Sequence, residues 1–232
     1  MEIALGTIVD GSVGTLSDSL SSVPAGPLHL QARLDSTEDE LPPQIAENAQ
    51  LWESLESLVL RFDRSGDSAS TPDLRRFERL RDVSVIGIRG AMRLGLLPSQ
   101  LRRLSFHSWA REIPEIPVVG PLMLPRLETL HLSGACLNDS QTVAAVANLP
   151  RLEELHLVRS SALPGTVEEV LRSTSLKYLR LTGPVQEQLE TLPALRALVE
   201  LSMDEDGWRR FGSLPRLAHV ARHTVHTMPR KG

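Results

Sequence analysis

Aliphatic residues recur along the middle of the chain in one short pattern, L-x-x-L-x-L, whose first, fourth and sixth places are hydrophobic. The pattern is clearest in LETLHL, which begins at Leu127, and in LEELHL, which begins at Leu152. Seven copies align in this frame, and their starting points lie 21–26 residues apart. A repeat of this kind indicates structural units that stack and bury their hydrophobic places between them. The first residues of the copies are Leu55, Leu80, Leu101, Leu127, Leu152, Leu176 and Leu198.

Each copy predicts a short strand, and the segments between copies predict helices. The fourth and sixth places are two residues apart, so both side chains point to the same side of an extended chain. Segments such as NDSQTVAAVANLP and PGTVEEVLRSTS have apolar residues three or four positions apart, as on one face of a helix. We predict an α/β solenoid with parallel strands on its concave face and short helices on its convex face. The predicted helical faces are Val143, Val146 and Leu149, and Val167, Val170 and Leu171.

The N-terminal part follows the pattern less closely. AGPLHLQARL places Ala25, Leu28 and Leu30 in an atypical first unit. A helix is predicted from about Pro43 to Ser54. Residues 1–24, rich in serine and glycine, are predicted to form a cap strand with a mobile segment.

The C-terminal part also departs from the pattern. SMDEDGWRRFGS predicts a loop or a short helix. LPRLAHVARHTV offers Leu217 and Val220 as core residues but puts Arg222 at the third core place, which predicts a degenerate cap. The predicted organisation is an N-terminal segment 1–24, a repeat domain 25–216, and a C-terminal cap and tail 217–232.

Between residues 55 and 203 the chain resembles the leucine-rich repeat family, and it does so more loosely between 25 and 228. Its segment lengths are more similar to the helix-backed members than to the shortest bacterial type. The resemblance implies a non-catalytic scaffold for binding proteins, one version being an inhibitor that plugs a partner enzyme, as ribonuclease inhibitors of this fold do. The family expects Asn or Cys at place nine, where the side chain bonds the turn backbone. This chain has Asp63, Ile88, Trp109, Ala135, Ser160, Pro184 and Asp206 there, so its turns need other partners.

The composition is that of an ordinary folded chain, with 232 residues and a net charge of −4. This balance argues against general affinity for nucleic acid, which requires a concentrated basic surface. No basic region precedes the short apolar run at the start, and no apolar stretch reaches about 18 residues. We therefore expect neither a signal peptide nor a membrane partner, and a cytoplasmic location. The single cysteine excludes an internal disulfide, and the predominance of arginine over lysine suggests a GC-rich bacterial source.

The places left over by the core supply the candidate binding surface. Places three, five and seven of each copy point away from the buried side of the predicted strands. In the middle of the sheet they combine tyrosine and arginine, which often dominate binding energy at interfaces, with charges of both signs. The alternative is a polar surface that only keeps the repeats soluble, with the site elsewhere. The predicted partner-binding residues are Arg103, His107, His131, Glu154, His156, Tyr178 and Arg180.

His131 and His156 occupy the same place in consecutive copies, about 4.8 Å apart by sheet geometry. This suggests a second hypothesis, a metal-dependent protein or enzyme in which His107 or Glu154 is a third zinc ligand. The chain has no C-x-x-C or H-E-x-x-H motif, so we predict solvated histidines with no metal and no cofactor. If these histidines line an interface, binding should weaken between about pH 7 and 5.5 as they become charged.

Two further features are predicted to be structural. Cys136 lies beyond its strand, away from the side to which His131 points, so a half-buried structural thiol is favoured over a nucleophile. An acidic run predicts a solvated loop, with docking of a basic partner or weak calcium binding as the alternative. No phosphate-binding glycine loop or Ser-His-Asp order is present, and no enzymatic activity is predicted. The acidic run consists of Asp35, Glu38, Asp39 and Glu40.

Overall fold

In the computed structural model, the repeated pattern forms the strands of one parallel sheet. The structure describes residues 7–8, 28–34, 46–47, 49–62, 68–88, 91–93, 96–108, 124–134, 136–137, 140–173, 176–190, 198–211 and 222–226. In chain order, the strands within these ranges are β1 (Thr7–Ile8), β2 (Leu28–Leu34), β3 (Leu55–Phe62), β4 (Ser68–Ser70), β5 (Asp82–Ile88), β6 (Ala91–Arg93), β7 (Arg103–Ser108), β8 (Thr129–Ser133), β9 (Cys136–Leu137), β10 (Glu154–Val158), β11 (Ser161–Ala162), β12 (Tyr178–Leu181), β13 (Glu200–Asp204) and β14 (Arg222–His226).

Ten of these strands form one sheet in the order β1-β2-β3-β5-β7-β8-β10-β12-β13-β14. Every neighbouring pair is parallel, and each strand lies beside the next strand of the sheet along the chain. Two small parallel pairs, β4 with β6 and β9 with β11, lie beyond the ends of the main strands. The predicted α/β class with parallel strands is confirmed.

Short helices connect several of the strands. Val143 and Val146 of the first predicted helix, and Val167 and Val170 of the second, are buried as predicted. Leu149 is also buried but lies after the end of the first helix, and Leu171 is only partly buried. Within the described part of the chain, no helix has the length and apolar character needed to cross a membrane. The helices described are α1 (Ala49–Ser54), α2 (Ser140–Ala147), α3 (Thr166–Ser173), a 3-10 helix (Pro184–Glu190) and α4 (Glu205–Phe211).

The core includes all the places that the repeat assigned to it. All residues at places one, four and six of the seven copies are buried, with at most 4% of their surface exposed. The sheet register aligns equal places, so Leu130 of β8 pairs with Leu155 of β10, and Leu155 pairs with Leu179 of β12. Burial of one aliphatic side chain contributes about 1.5–3 kcal/mol, so this aligned column supplies the main stabilisation of the sheet.

A backbone ladder at place two joins each copy to the next. The carbonyl of Glu128 accepts hydrogen bonds from the amides of Glu153, at 2.9 Å, and Glu154, at 3.0 Å. In the following copy, the carbonyl of Glu153 accepts from Lys177 and Tyr178 in the same way. Because this bonding uses backbone groups alone, it holds the register whatever side chains occupy the polar places.

The turns after several strands depend on the backbone conformation at place eight and not on an asparagine side chain at place nine. Four residues at place eight have positive φ: Gly87 at 89°, Gly134 at 65°, Arg159 at 49° and Gly183 at 83°. At place nine, Ser160 is buried and its hydroxyl lies 3.1 Å from the carbonyl oxygens of Leu132 and Val158. The Ser160 hydroxyl thus supplies hydrogen bonds at this turn, and glycine at place eight of three other copies permits the positive φ.

The predicted frame at the N-terminal end is wrong by two residues. Leu30 pairs with Leu58 and therefore occupies place four, not place six. The strand predicted within residues 1–24 is present as Thr7–Ile8, which pairs with β2. The helix predicted from Pro43 is described only as α1, which begins at Ala49. Ala25, residues 43–45 and the acidic run lie outside the described residues.

The C-terminal frame is wrong by three residues. Arg222 pairs with Glu200 at place three, whereas the sequence frame put it at the third core place. Leu217 and Val220 lie outside the described residues. The segment before β14, predicted as a loop or short helix, forms α4, because Asp204 caps it by accepting a 2.8 Å hydrogen bond from the Gly207 amide.

Candidate functional site

The register of the sheet brings the polar places into two parallel rows on the face opposite the buried leucines. We call this surface the polar face. Its place-three row contains Asp82, Arg103, Thr129, Glu154, Tyr178 and Glu200. Its place-five row contains Ser84, Ser105, His131, His156, Arg180 and Ser202. Six of the seven predicted binding residues are members of these rows.

Arg103 is bound within the place-three row. Its Nε lies 2.5 Å from Asp82 Oδ1, and its Nη2 lies 2.6 Å from Oδ2. This bidentate pair raises the pKa of Arg103 above its usual value. Asp82 precedes Arg103 by 21 residues, and the sequence analysis did not include it in the site. Much of the hydrogen-bonding capacity of Arg103 is therefore already used within the protein.

Glu154 connects the two rows. Its Oε2 accepts a hydrogen bond from Thr129 Oγ1 at 3.1 Å, and its Oε1 lies 2.7 Å from His156 Nε2. In a neutral imidazole this places the ring proton on Nε2 and leaves Nδ1 as an acceptor. His156 Nδ1 is buried and has no hydrogen-bond partner among the described residues.

Three histidines pack side by side at the centre of the polar face. The ring centroids of His107 and His131 are 4.7 Å apart, and those of His131 and His156 are 5.0 Å apart, close to the predicted spacing. His107 comes from place seven of its own strand. Burial lowers the pKa of His107 and is the main cause that lowers the pKa of His131 to about 4. The nearby charges of His107, His156 and Arg180 lower the pKa of His131 further.

The prediction of solvated histidines is wrong for His131. Its side chain is half-buried, and its Nε2 is buried without a partner among the described residues. The predicted loss of binding between about pH 7 and 5.5 therefore cannot come from His131, because a pKa of about 4 keeps it neutral through that range. Among the described residues, no three His, Cys, Asp or Glu side chains are grouped so that they could hold a metal ion.

A cleft of about 330 Å³ lies beside the histidines, over β10, β12 and β13. Four of the predicted binding residues line it, whereas Arg103, His107 and His131 do not. Glu200 and Ser202 also line the cleft but were not included in the predicted site. They occupy places three and five of the copy that begins at Leu198, and these places could have identified them from the sequence. The lining residues are Glu154, His156, Tyr178, Leu179, Arg180, Glu200 and Ser202.

The cleft contains polar atoms that lack partners. Arg180 Nε and Ser202 Oγ are buried and have no hydrogen-bond partner among the described residues. Tyr178, two residues before Arg180 on β12, is 40% exposed, which is high for a large hydrophobic side chain. The arrangement offers an exposed ring next to hydrogen-bonding groups that no described residue satisfies.

Cys136 is placed only by its backbone, which pairs with Ser161. Its side chain lies outside what the structure describes, so the predicted structural thiol stays a prediction.

Comparison with known proteins gives no family for this chain. No protein-family model matches it, and no curated protein matches it.

Proposed function

We propose that this protein is a leucine-rich repeat solenoid that binds a partner protein through its polar face, on the concave side, without catalysing a reaction. The observation that carries the proposal is a run of unused polar atoms. His131, His156, Arg180 and Ser202 are consecutive members of the place-five row, and each has a buried polar atom with no partner among the described residues. The place-three row, by contrast, contains internal bonds such as that between Asp82 and Arg103.

This run favours binding over mere solubility. A buried donor or acceptor that lacks a hydrogen bond costs about 1–3 kcal/mol. Side chains that only kept a sheet soluble would turn their polar atoms toward water and avoid this cost. A partner that supplies the missing hydrogen bonds recovers it on binding. The run extends over four adjacent strands, roughly 14 Å at a strand spacing near 4.8 Å, which is wide enough for a protein segment.

The side chains next to the run support a protein partner in particular. Tyr178 and Arg180 project from the same face of β12, and interface hot spots are enriched in both residue types. Carboxylates and an arginine line one cleft, so the surface has both signs of charge. A surface of mixed charge gives specificity for one partner, whereas a polyanion requires a basic patch.

Affinity capture tests the proposal. The immobilised full chain is compared with a Tyr178→Ala, Arg180→Ala double variant and with an Arg172→Ala, Arg209→Ala double variant. The two control arginines are exposed and lie on helices α3 and α4, away from the polar face. We expect a protein to be retained by wild type and by the helix variant and lost from the face variant.

The opposite results have distinct meanings. Equal retention by the face variant would show that the polar face is not the binding surface. Loss from the helix variant alone would place the surface on the helical side. Thermal unfolding of all three chains shows that no result reflects an unfolded variant. Where the captured partner is an enzyme, measuring its activity with added chain tests the inhibitor form of the proposal.

A further inference from the structure

Arg180 is a cation without a counter-ion among the residues that the structure describes. Arg103, on the same face, holds Asp82 with two hydrogen bonds, but none of the described residues places a carboxylate within 4 Å of the Arg180 guanidinium. Its Nε is withdrawn from solvent and has no hydrogen-bond partner in the described part of the chain, although the residue as a whole is partly exposed at the cleft. A guanidinium in this state presents donors in the fork geometry that matches a carboxylate.

The neighbours of Arg180 complete a small donor site. Register pairing sets Arg180 between His156 and Ser202 on the adjacent strands. Ser202 is only 6% exposed, and its hydroxyl has no partner among the described residues, so it can donate to an oxygen held by Arg180. Tyr178 adds an exposed ring on the same strand, against which the aliphatic part of a ligand side chain can pack.

Two carboxylates at the cleft limit what anion can enter. Glu154 and Glu200 both line it. The carboxylate of Glu154 is already bonded to Thr129 and His156 and does not reach Arg180. A singly charged carboxylate is balanced by Arg180. A phosphate monoester carries about −1.5 to −2 at neutral pH, so the two glutamates repel it more strongly than they repel a carboxylate of charge −1.

We propose that the cleft beside Arg180 receives an aspartate or glutamate side chain of the partner protein, with Arg180 as the counter-ion and Ser202 as a second donor. This inference rests on the proposed function and specifies the chemistry of its central contact. It also predicts selectivity, since a single acidic side chain is accepted whereas a phosphorylated one is disfavoured.

The buried Arg180 Nε–H provides a direct reporter. Three capped peptides are titrated into the full chain labelled with ¹⁵N: Ac-Gly-Glu-Gly-NH₂, Ac-Gly-Gln-Gly-NH₂ and Ac-Gly-phosphoserine-Gly-NH₂. The Arg180→Lys variant assigns the Nε–H resonance because it removes it. We expect a saturable shift with the glutamate peptide, roughly tenfold weaker binding of the glutamine peptide, and no tighter binding of the phosphoserine peptide.

Variants separate the site from a general ionic effect. Ser202→Ala should weaken binding of the glutamate peptide several-fold, whereas Arg172→Lys on α3 should leave it unchanged. Absence of a saturable Arg180 shift would overturn the inference, as would equal binding of the glutamate and glutamine peptides or tighter binding of the phosphoserine peptide. Once the resonance is assigned, the titration of wild type with the three peptides gives this answer even if Ser202→Ala fails to fold.

The result can be distinguished from failure of the proposed function. Single variants are used in the capture experiment for this purpose. A partner lost with Tyr178→Ala but kept with Arg180→Gln would mean that the polar face binds protein without a carboxylate at Arg180. If the glutamate peptide binds saturably but neither variant reduces capture of the partner, the carboxylate site is supported and the proposed binding surface is refuted.

Discussion

Acidification is expected to destabilise this fold through His131. Its pKa is lowered from 6.5 to about 4 in the folded state, first by burial and then by nearby positive charge. A histidine in the unfolded chain keeps an ordinary pKa near 6.5. Between about pH 6.5 and 4 the unfolded state therefore binds a proton that the folded state does not, so stability rises with pH across this window. The contribution is complete above about pH 6.5 and is lost as the pH falls to about 4.

The structure sets the size of this effect. A difference between 6.5 and about 4 corresponds to roughly 3 kcal/mol at full effect. Because the side chain is only half-buried, solvent screening reduces the expected contribution to about 1–2 kcal/mol. Burial also lowers the pKa of His107, which packs against His131 and changes stability in the same direction.

Urea denaturation at several pH values between about 7.5 and 4.5 measures the effect. Wild type is compared with His131→Asn, which stays neutral at every pH, and with His29→Asn, which replaces an exposed histidine on β2. We expect wild type and His29→Asn to lose about 1–2 kcal/mol more than His131→Asn as the pH falls. Equal losses in all three chains would show that the fold does not hold His131 neutral.

The remaining predictions concern the turn and the core. An alanine Cβ at Gly87 would lie 2.3 Å from the carbonyl oxygen of Phe62, whereas Gly165 has a similar φ and nothing within 4 Å. In thermal or urea unfolding, Gly87→Ala should therefore cost more than about 2 kcal/mol and Gly165→Ala only about 1 kcal/mol, and equal costs would contradict the close approach. Leu155→Ala should cost about 2–5 kcal/mol because it opens a cavity in the stacked core. Arg180→Ala should not destabilise the fold, because it removes a buried donor that lacks a partner among the described residues, and a loss comparable with that of Leu155→Ala would contradict the assignment of faces.

The central part of the fold could be predicted because seven copies of the pattern must all fit the same alignment. A shift of one residue in any copy would move its aliphatic side chains to the opposite face. Seven copies agree on places one, four and six, and the structure buries all of these residues. The same frame identified the polar rows, because the side chains of a strand alternate between the two faces.

The ends could not be predicted as well because single segments constrain the frame weakly. LHLQARL fits the pattern with Leu28 or with Leu30 at place four, since a shift of two residues keeps every side chain on the same face. Side-chain contacts between strands could not be predicted from the sequence either. The pairing of Asp82 with Arg103 follows only from the register of β5 with β7, and the partnerless Nε of Arg180 only from the positions of all its neighbours.

The place-five row shows why the site is local although the architecture is repetitive. The two members before the histidines, Ser84 and Ser105, carry short hydroxyl side chains, and the next three places hold two histidines and Arg180. Larger side chains on adjacent strands, separated by only about 4.8 Å, shield one another from water. Shielding explains both the low pKa of His131 and the burial of unbonded polar atoms from β8 to β13. A partner that supplies hydrogen bonds to these atoms would relieve the cost of burying them unbonded. The crowding that lowers stability at acid pH is therefore also the reason we propose this stretch as the binding position on the sheet.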